Sequence, residues 1–100
     1  MTTDKPYGTK QMAKDMGPLT FGNSLEAYRK CEGLSQKDFA TKIGISPSSL
    51  CDIEKGRKIP SPRRAVKIAN QIGEPEVFWL KLAFQDMLRK ENLNYTVSVA

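Results

Sequence analysis

The chain contains no histidine and only two cysteines, and none of its apolar runs approaches the length of a membrane span. Without histidine, proton transfer near neutral pH would depend on carboxylates, lysine or tyrosine. No pair of acidic residues has a spacing that suggests a shared catalytic pocket. Glycine-rich phosphate-binding motifs are also absent from the sequence. We therefore expect no enzymatic activity and no bound cofactor.

The two cysteines, Cys31 and Cys51, do not form a CxxC pair, and the sequence lacks the histidines that would complete a zinc site. The sequence also offers no evident base that would activate Cys51 as a nucleophile. We interpret both residues as reduced thiols near helix faces and expect no metal. No early apolar stretch resembles a secretion signal, which predicts a cytoplasmic protein without a membrane partner.

Positive charge is concentrated in the middle of the chain. Residues 29–67 carry ten Lys and Arg against four Asp and Glu, a balance of +6, whereas the whole chain has a net charge of +5. This clustering favours a phosphate-rich partner, and the alternative is a charged surface that only keeps the protein soluble. With 100 residues and 39% hydrophobic content, the chain is expected to form one small domain.

Two helix starts carry the same sequence pattern, eleven residues apart. The first combines a candidate N-cap, Ser35, with a hydrophobic staple between Leu34 and Phe39. The second lies in residues 45–50, which supply a staple residue, a serine cap, a proline at the first helical position and the staple partner. Gly44 and its neighbours join the two helices. This arrangement predicts a helix-turn-helix that binds double-stranded DNA.

Capping residues, among them Thr20 and Ser61, and apolar periodicity predict five helices and an all-α fold. The predicted helices are 21–32, 36–43, 47–55, 62–72 and a fifth that begins near Pro75. The predicted parts of the chain are a flexible N-terminal arm (1–19), the DNA-binding domain (20–92) and a short C-terminal β-strand (93–100). The predicted core consists of Leu25, Tyr28, Leu34, Phe39, Ala40, Ile43, Ile45, Leu50, Ile53, Ala65, Ile68 and Ile72.

Apolar residues cover more than one side of the fifth helix. Trp79, Phe84 and their neighbours could close the core, form a dimer seam or receive a protein partner, and we expect two of these roles at once. In the tail, Tyr95, Val97 and Val99 alternate with polar residues, as in a β-strand. Because no second strand is predicted, this strand would pair with a second copy of the chain, pair with a partner protein, or fray into solvent.

The segment SQKDFATKIGISPSSLCDIEKGRKIPS resembles the helix-turn-helix of the Cro and lambda-repressor class, also called the XRE family. The similarity covers residues 21–73 and implies a lambda-repressor-like domain. The longer arrangement, which continues into FWLKLAFQDMLRKENLNYTVSV, resembles HigA-type antitoxins of bacterial toxin–antitoxin operons. This second resemblance implies a bacterial protein that associates with the nucleoid when it is bound to DNA.

In the XRE class, the second helix crosses the phosphate backbone and the third helix enters the major groove. Leu50 and Ile53 are expected to point inward, so the candidate base readers on the outer side are Pro47, Ser48, Ser49 and Asp52. The candidate phosphate contacts are Gln36, which resembles a family glutamine in that role, and Lys37, Lys55, Arg57 and Lys58. For the three cations after the third helix the alternative is a solvated loop, and Lys37 could also be merely exposed.

The class also implies an ion pair between Arg29 and Glu54, which we interpret as structural. Because serine is an ambivalent base contact and Asp52 can only accept hydrogen bonds, DNA shape is expected to contribute to specificity.

Two functions remain open at this stage. The first is a repressor that binds a palindromic operator as a homodimer, with its two third helices about 34–36 Å apart. The second is an antitoxin that neutralises a small toxin protein and uses DNA binding to regulate its own operon. Trp79, Phe84, Tyr95, Val97 and Val99 are the candidate residues for the dimer or partner interface.

Overall fold

The computed structural model describes residues 19–93 and 95–97, and within them it contains five helices and no strand. The helices are α1 (Phe21–Cys31), α2 (Gln36–Ile43), α3 (Pro47–Glu54), α4 (Pro62–Ile72) and α5 (Glu76–Lys90). The predicted all-α fold with five helices is confirmed. The predicted arm, except for Leu19, lies outside the described residues, as do residues 94 and 98–100 and therefore Val99.

Hydroxyl side chains begin four of the five helices. The Oγ atoms of Ser35 and Ser46 each accept a hydrogen bond of 3.0 Å from the backbone N–H three residues later, at the starts of α2 and α3. Thr20 and Ser61 cap α1 and α4 in the same way. α5 begins after Pro75 without a side-chain cap. The predicted caps are confirmed, and caps of this kind typically contribute about 1 kcal/mol each.

The turn between α2 and α3 depends on Gly44, whose φ of 74° is a conformation that glycine adopts without a Cβ clash. The Ile45 N–H then donates to the Ala40 carbonyl at 3.0 Å, which brings the start of α3 back against α2. α3 ends at Glu54, one residue earlier than predicted, because the chain leaves the helix through Gly56 at φ 79°. α1 likewise ends one residue early.

Buried apolar side chains from all five helices form one core. They are Phe21, Leu25, Phe39, Ala40, Ile43, Leu50, Ile53, Ala65, Ile68, Ala69, Ile72, Trp79, Leu82 and Ala83. Three predicted core residues, Tyr28, Leu34 and Ile45, are half-buried against this cluster, and the others are in it. The predicted core lacked Phe21, Ala69 and the residues of α5. For α5, apolar side chains on several sides of the helix did not indicate which side packs inward.

Trp79 lies in the core rather than at an interface. Only 2% of its surface is exposed, and its ring meets Phe21 edge-on with a centroid distance of 5.2 Å. Trp79 therefore closes the core, which was one of the three roles considered for this helix. Its burial does not fit the predicted role in an interface. Phe84 remains 38% exposed, together with Val77 and Phe78 on the same helix.

α1 and α3 pack closely at Gly22. A Cβ atom at this position would overlap the carbonyl oxygen of Ile53, near the end of α3. Only glycine therefore allows the first turn of α1 to approach the backbone of α3 this closely. The first turn of α1 therefore lies directly against the backbone at the end of α3.

The predicted C-terminal strand is not found in residues 95–97, which have no regular secondary structure. A single strand lacks a neighbour with which to form a ladder. The side-chain amide of Gln85 is bonded to this segment instead: Nε2 donates to the Tyr95 carbonyl at 2.7 Å, and Oε1 accepts from the Val97 N–H at 2.9 Å. The tail is thereby attached to α5, and Tyr95 is 68% exposed.

Candidate nucleic-acid interface

α3 has one buried side and one exposed side. Leu50 and Ile53 are at most 1% exposed and anchor the helix in the core. The predicted base readers lie on the other side, where Pro47 and Ser48 are exposed and Ser49 and Asp52 are partly exposed. No large apolar side chain occupies this outer surface. The outer side of α3 is therefore a rigid row of polar side chains, on a helix that the major groove is wide enough to admit.

The loop that follows α3 folds back onto the helix. The backbone N–H groups of Arg57 and Lys58 donate to the Asp52 carbonyl at 2.9 and 3.2 Å. The Arg57 side chain also binds the Asp52 carboxylate, with Nε and Nη2 at 3.0 and 2.9 Å from Oδ1. This hydrogen bond raises the pKa of Arg57 above its ordinary value. A predicted base reader and a predicted phosphate contact are therefore joined in one exposed ion pair.

The ion pair of Asp52 and Arg57 was not predicted from the sequence. The two residues are five positions apart, a spacing that does not bring side chains together on a continuous helix. They meet because the chain reverses at Gly56 immediately after α3. The positive φ that glycine favours after the end of a helix is the sequence signal that indicates this reversal.

A buried network secures the C-terminal end of α3. Glu54, with a side chain only 2% exposed, accepts hydrogen bonds from Arg29 at Oε2 (2.7 Å from Nε) and Oε1 (3.1 Å from Nη2). Arg29 also donates to the Leu34 carbonyl at 2.9 Å, and its hydrogen bonds with Glu54 raise its pKa. The predicted ion pair of Arg29 and Glu54 is confirmed. It connects α1, the loop before α2, and α3.

Gln36 takes part in the same network. Its Nε2 donates to Glu54 Oε1 at 2.8 Å, so the side chain that was expected to meet a phosphate holds the end of α3 in this structure. The backbone at the start of α2 remains suited to an anion, because the first N–H groups of a helix have no partner within the helix. Lys37, the next residue, is exposed beside them.

The cations after α3 are all at the surface. Lys55 forms the C-cap of α3, and Lys55, Arg57 and Lys58 are exposed. Arg57 and Lys58 also line a groove of about 320 Å³, which we call the basic groove. The groove is also lined by Arg89 and Lys90 from the last turn of α5, which were not among the predicted site residues.

The two cysteines are free thiols in different environments. Cys31 is exposed at the end of α1, whereas Cys51 is half-buried on α3. The sulfur of Cys51 lies 3.9 Å from Nη2 of Arg57, at the side of the Asp52 pair. Within the described part of the chain, no group of three or more Cys, Asp or Glu side chains is arranged to hold a metal ion. In the same residues, no helix combines the length and apolar character needed to cross a membrane.

Residues 25–79 fit the model of a protein family described as helix-turn-helix. Over 65 residues, 65% of this chain, the sequence is 38% identical to endothelial differentiation-related factor 1 of Homo sapiens and to its homolog in Gallus gallus. The aligned segment is 44% of the length of each of these two relatives, so the chain spans less than half of them.

A shorter relative is covered more completely. Over 51 residues the chain is 43% identical to an uncharacterized HTH-type transcriptional regulator of Methanocaldococcus jannaschii, an alignment that covers 51% of this chain and 77% of that protein. The regulator YazB of Bacillus subtilis is 44% identical over 41 residues, which are 41% of this chain and 59% of YazB. Because human and bacterial proteins both match, the comparisons do not assign the bacterial source that the antitoxin resemblance implied.

Proposed function

The chain belongs to this XRE-type helix-turn-helix family, and from that premise we propose that it is a DNA-binding transcriptional regulator that places α3 in the major groove. The proposal rests on the way in which the domain holds α3, with one side buried and the other side exposed. Its inner side is held by the core and by the Glu54 network, and its outer side is polar and accessible. The N-terminal half of the outer side, Pro47 to Ser49, faces the base edges, and Asp52 accepts from a cytosine amino group.

The phosphate contacts surround this helix. Lys55, Arg57 and Lys58 bind the backbone on the side where α3 ends, and the start of α2, with Lys37, binds it on the other side. Gln36 contributes through its backbone N–H, because its side chain is engaged by Glu54. This division of roles gives strong salt dependence from the cations and modest specificity from the serines and Asp52.

We propose further that two copies bind a palindromic operator and repress transcription. A dimer is supported by the exposed apolar side chains of α5, Val77, Phe78 and Phe84, and by the exposed Tyr95 beside Gln85. The parts of the chain keep their proposed roles: 1–19 as an arm, 20–92 as the DNA-binding domain and 93–100 as a segment for dimer or partner pairing. Val97 belongs to this last segment.

The test is binding of purified protein to duplex DNA over a range of salt concentrations. Lys55→Gln and Arg57→Gln are expected to lower the affinity and to reduce the slope of log K against log salt by about 0.9 for each phosphate that the protein no longer neutralises. Lys81→Gln is the matched control, because Lys81 is exposed on α5 and does not line the basic groove. Unchanged affinity and slope in both variants would contradict the phosphate roles.

A second candidate function is that of an antitoxin, favoured by the same exposed apolar residues of α5 and by the attached tail. In this case the surface of Val77, Phe84 and Tyr95 receives a small toxin, and DNA binding serves autoregulation. Deletion of residues 93–100 should then abolish toxin neutralisation while the helical circular dichroism spectrum is retained. Neutralisation by the shortened chain would remove the tail from this role. A small basic ribonuclease-like protein in the neighbouring reading frame would favour the antitoxin function over the repressor alone.

A further inference from the structure

The basic groove lies beside α3 but is built largely by other parts of the fold. The loop after α3 contributes Arg57 and Lys58 to its lining, and the last turn of α5 contributes Arg89 and Lys90. Its lining includes four cationic side chains and one carboxylate, that of Asp86. A groove with this balance of charge attracts an anion.

The carboxylate is already engaged on both oxygens. Asp86 Oδ2 accepts the backbone N–H of Phe21 at 3.0 Å, and Oδ1 accepts Nη1 of Arg89 at 2.9 Å. Its side chain is only 11% exposed, so Asp86 joins α5 to the start of α1. The carboxylate therefore supports the wall of the groove, and the positive charges of Lys58 and Lys90 are not neutralised by an ion pair in the described part of the chain.

We propose that the basic groove binds a phosphate of the DNA backbone, so that the C-terminal turn of α5 takes part in DNA binding. The inference rests on the proposed function and extends its contact surface. Arg57 and Lys58 belong both to the exit of α3 and to this groove. A backbone strand that crosses the exit of α3 therefore passes the mouth of the groove, where Arg89 and Lys90 meet the adjacent phosphate.

Two of the N–H groups at the start of α1 are already engaged. Asp86 occupies the N–H of Phe21, and the Thr20 hydroxyl occupies the N–H of Asn23 at 3.0 Å. Recognition depends instead on the side-chain cations, which contact phosphate without reading the base sequence. Substitution of Lys90 tests this role most directly, because Lys90 is exposed and forms no ion pair among the residues that the structure describes.

The experiment compares Lys90→Gln and Arg89→Gln with Lys81→Gln from the same helix, in duplex DNA binding at several salt concentrations. Each groove variant is expected to reduce the salt slope, by at most about 0.9 and equally for different DNA sequences, and Lys81→Gln is expected to leave it unchanged. Because Arg89 also holds Asp86, the thermal unfolding of Arg89→Gln is measured in parallel. Lys90→Gln tests the proposal without that complication.

The outcomes separate this proposal from the proposed function. A reduced slope in Lys55→Gln and Arg57→Gln with wild-type slope in Lys90→Gln and Arg89→Gln would overturn the groove proposal and leave DNA binding by α3 intact. Absence of binding by the unmodified protein at low ionic strength would overturn both. A third measurement follows the thermal unfolding of the protein at increasing concentrations of inorganic phosphate and constant ionic strength. Saturable thermal stabilisation by phosphate, abolished in Lys90→Gln without any change in DNA binding, would make the groove a small-anion site and overturn its assignment to DNA.

Discussion

Replacement of Glu54 by leucine is expected to destabilise the domain by about 3 kcal/mol, because it leaves the Arg29 charge without its buried partner. Arg29 is only 12% exposed, so water cannot fully replace the carboxylate. Removal of one partner from a buried pair typically costs about 3–5 kcal/mol. We place this case at the lower end, because Arg29 keeps its hydrogen bond to the Leu34 carbonyl and some exposure to solvent.

A loss of about 3 kcal/mol is large for a domain of this size. It corresponds to a fall in Tm of roughly 12–24 °C. It also removes a large part of a total unfolding free energy that is on the order of 5–15 kcal/mol for small proteins. The variant should therefore remain folded at low temperature and unfold early on heating or in urea.

The assay is urea unfolding followed by circular dichroism for Glu54→Leu, Arg29→Met and the double variant. Arg29→Met leaves the Glu54 carboxylate buried with only the Gln36 amide, so it should also be destabilising. The double variant should be more stable than the sum of the single changes predicts, because neither charge is then left alone. Strictly additive effects, or a loss below about 1 kcal/mol for Glu54→Leu, would show that the network does not hold α3 in place.

Two further changes test the packing and the outer side of α3. Gly22→Ala should destabilise the domain by about 1–3 kcal/mol, because the added Cβ would force α1 away from the Ile53 carbonyl. Ala27→Ser, at an exposed position of the same helix, is its control in urea unfolding, and equal stability of the two variants would contradict the close packing of α1 and α3. Asp52→Asn should raise binding to arbitrary duplexes and lower discrimination for the preferred site, because it removes negative charge from the DNA-facing side and frees Arg57. A parallel fall of both affinities, measured by fluorescence anisotropy, would show that Asp52 acts mainly by positioning Arg57.

Local chemistry made much of the helix-turn-helix predictable. Ser35 and Ser46 mark helix starts because their hydroxyls satisfy N–H groups within three residues, and Gly44 marks the turn for an equally local reason. The buried sides of α2 to α4 follow from helical periodicity. The pair of Arg29 and Glu54 is 25 residues apart, and only the family resemblance made it predictable.

The remaining features depend on how distant segments meet. Trp79 was open to three interpretations, because a helix with apolar residues on several sides does not reveal its partner until Phe21 packs against it. The pairing of Asp52 with Arg57 requires the reversal at Gly56, and the basic groove requires α5 to return to the start of α1 through Asp86. The tail showed a strand pattern, but a β-ladder needs a second strand, which the described residues do not provide.

Dimethyl sulfate footprinting on DNA from the protein's own upstream region tests the central claim most directly, because this reagent reports the guanine N7 atoms in the major groove. If α3 enters the major groove of each half-site, the protein should protect guanines in two patches about 10 base pairs apart. Protection should disappear in Lys55→Gln/Arg57→Gln at salt concentrations where Lys81→Gln still protects. Binding that leaves every major-groove guanine reactive, or no binding to duplex DNA at low ionic strength, would contradict the account.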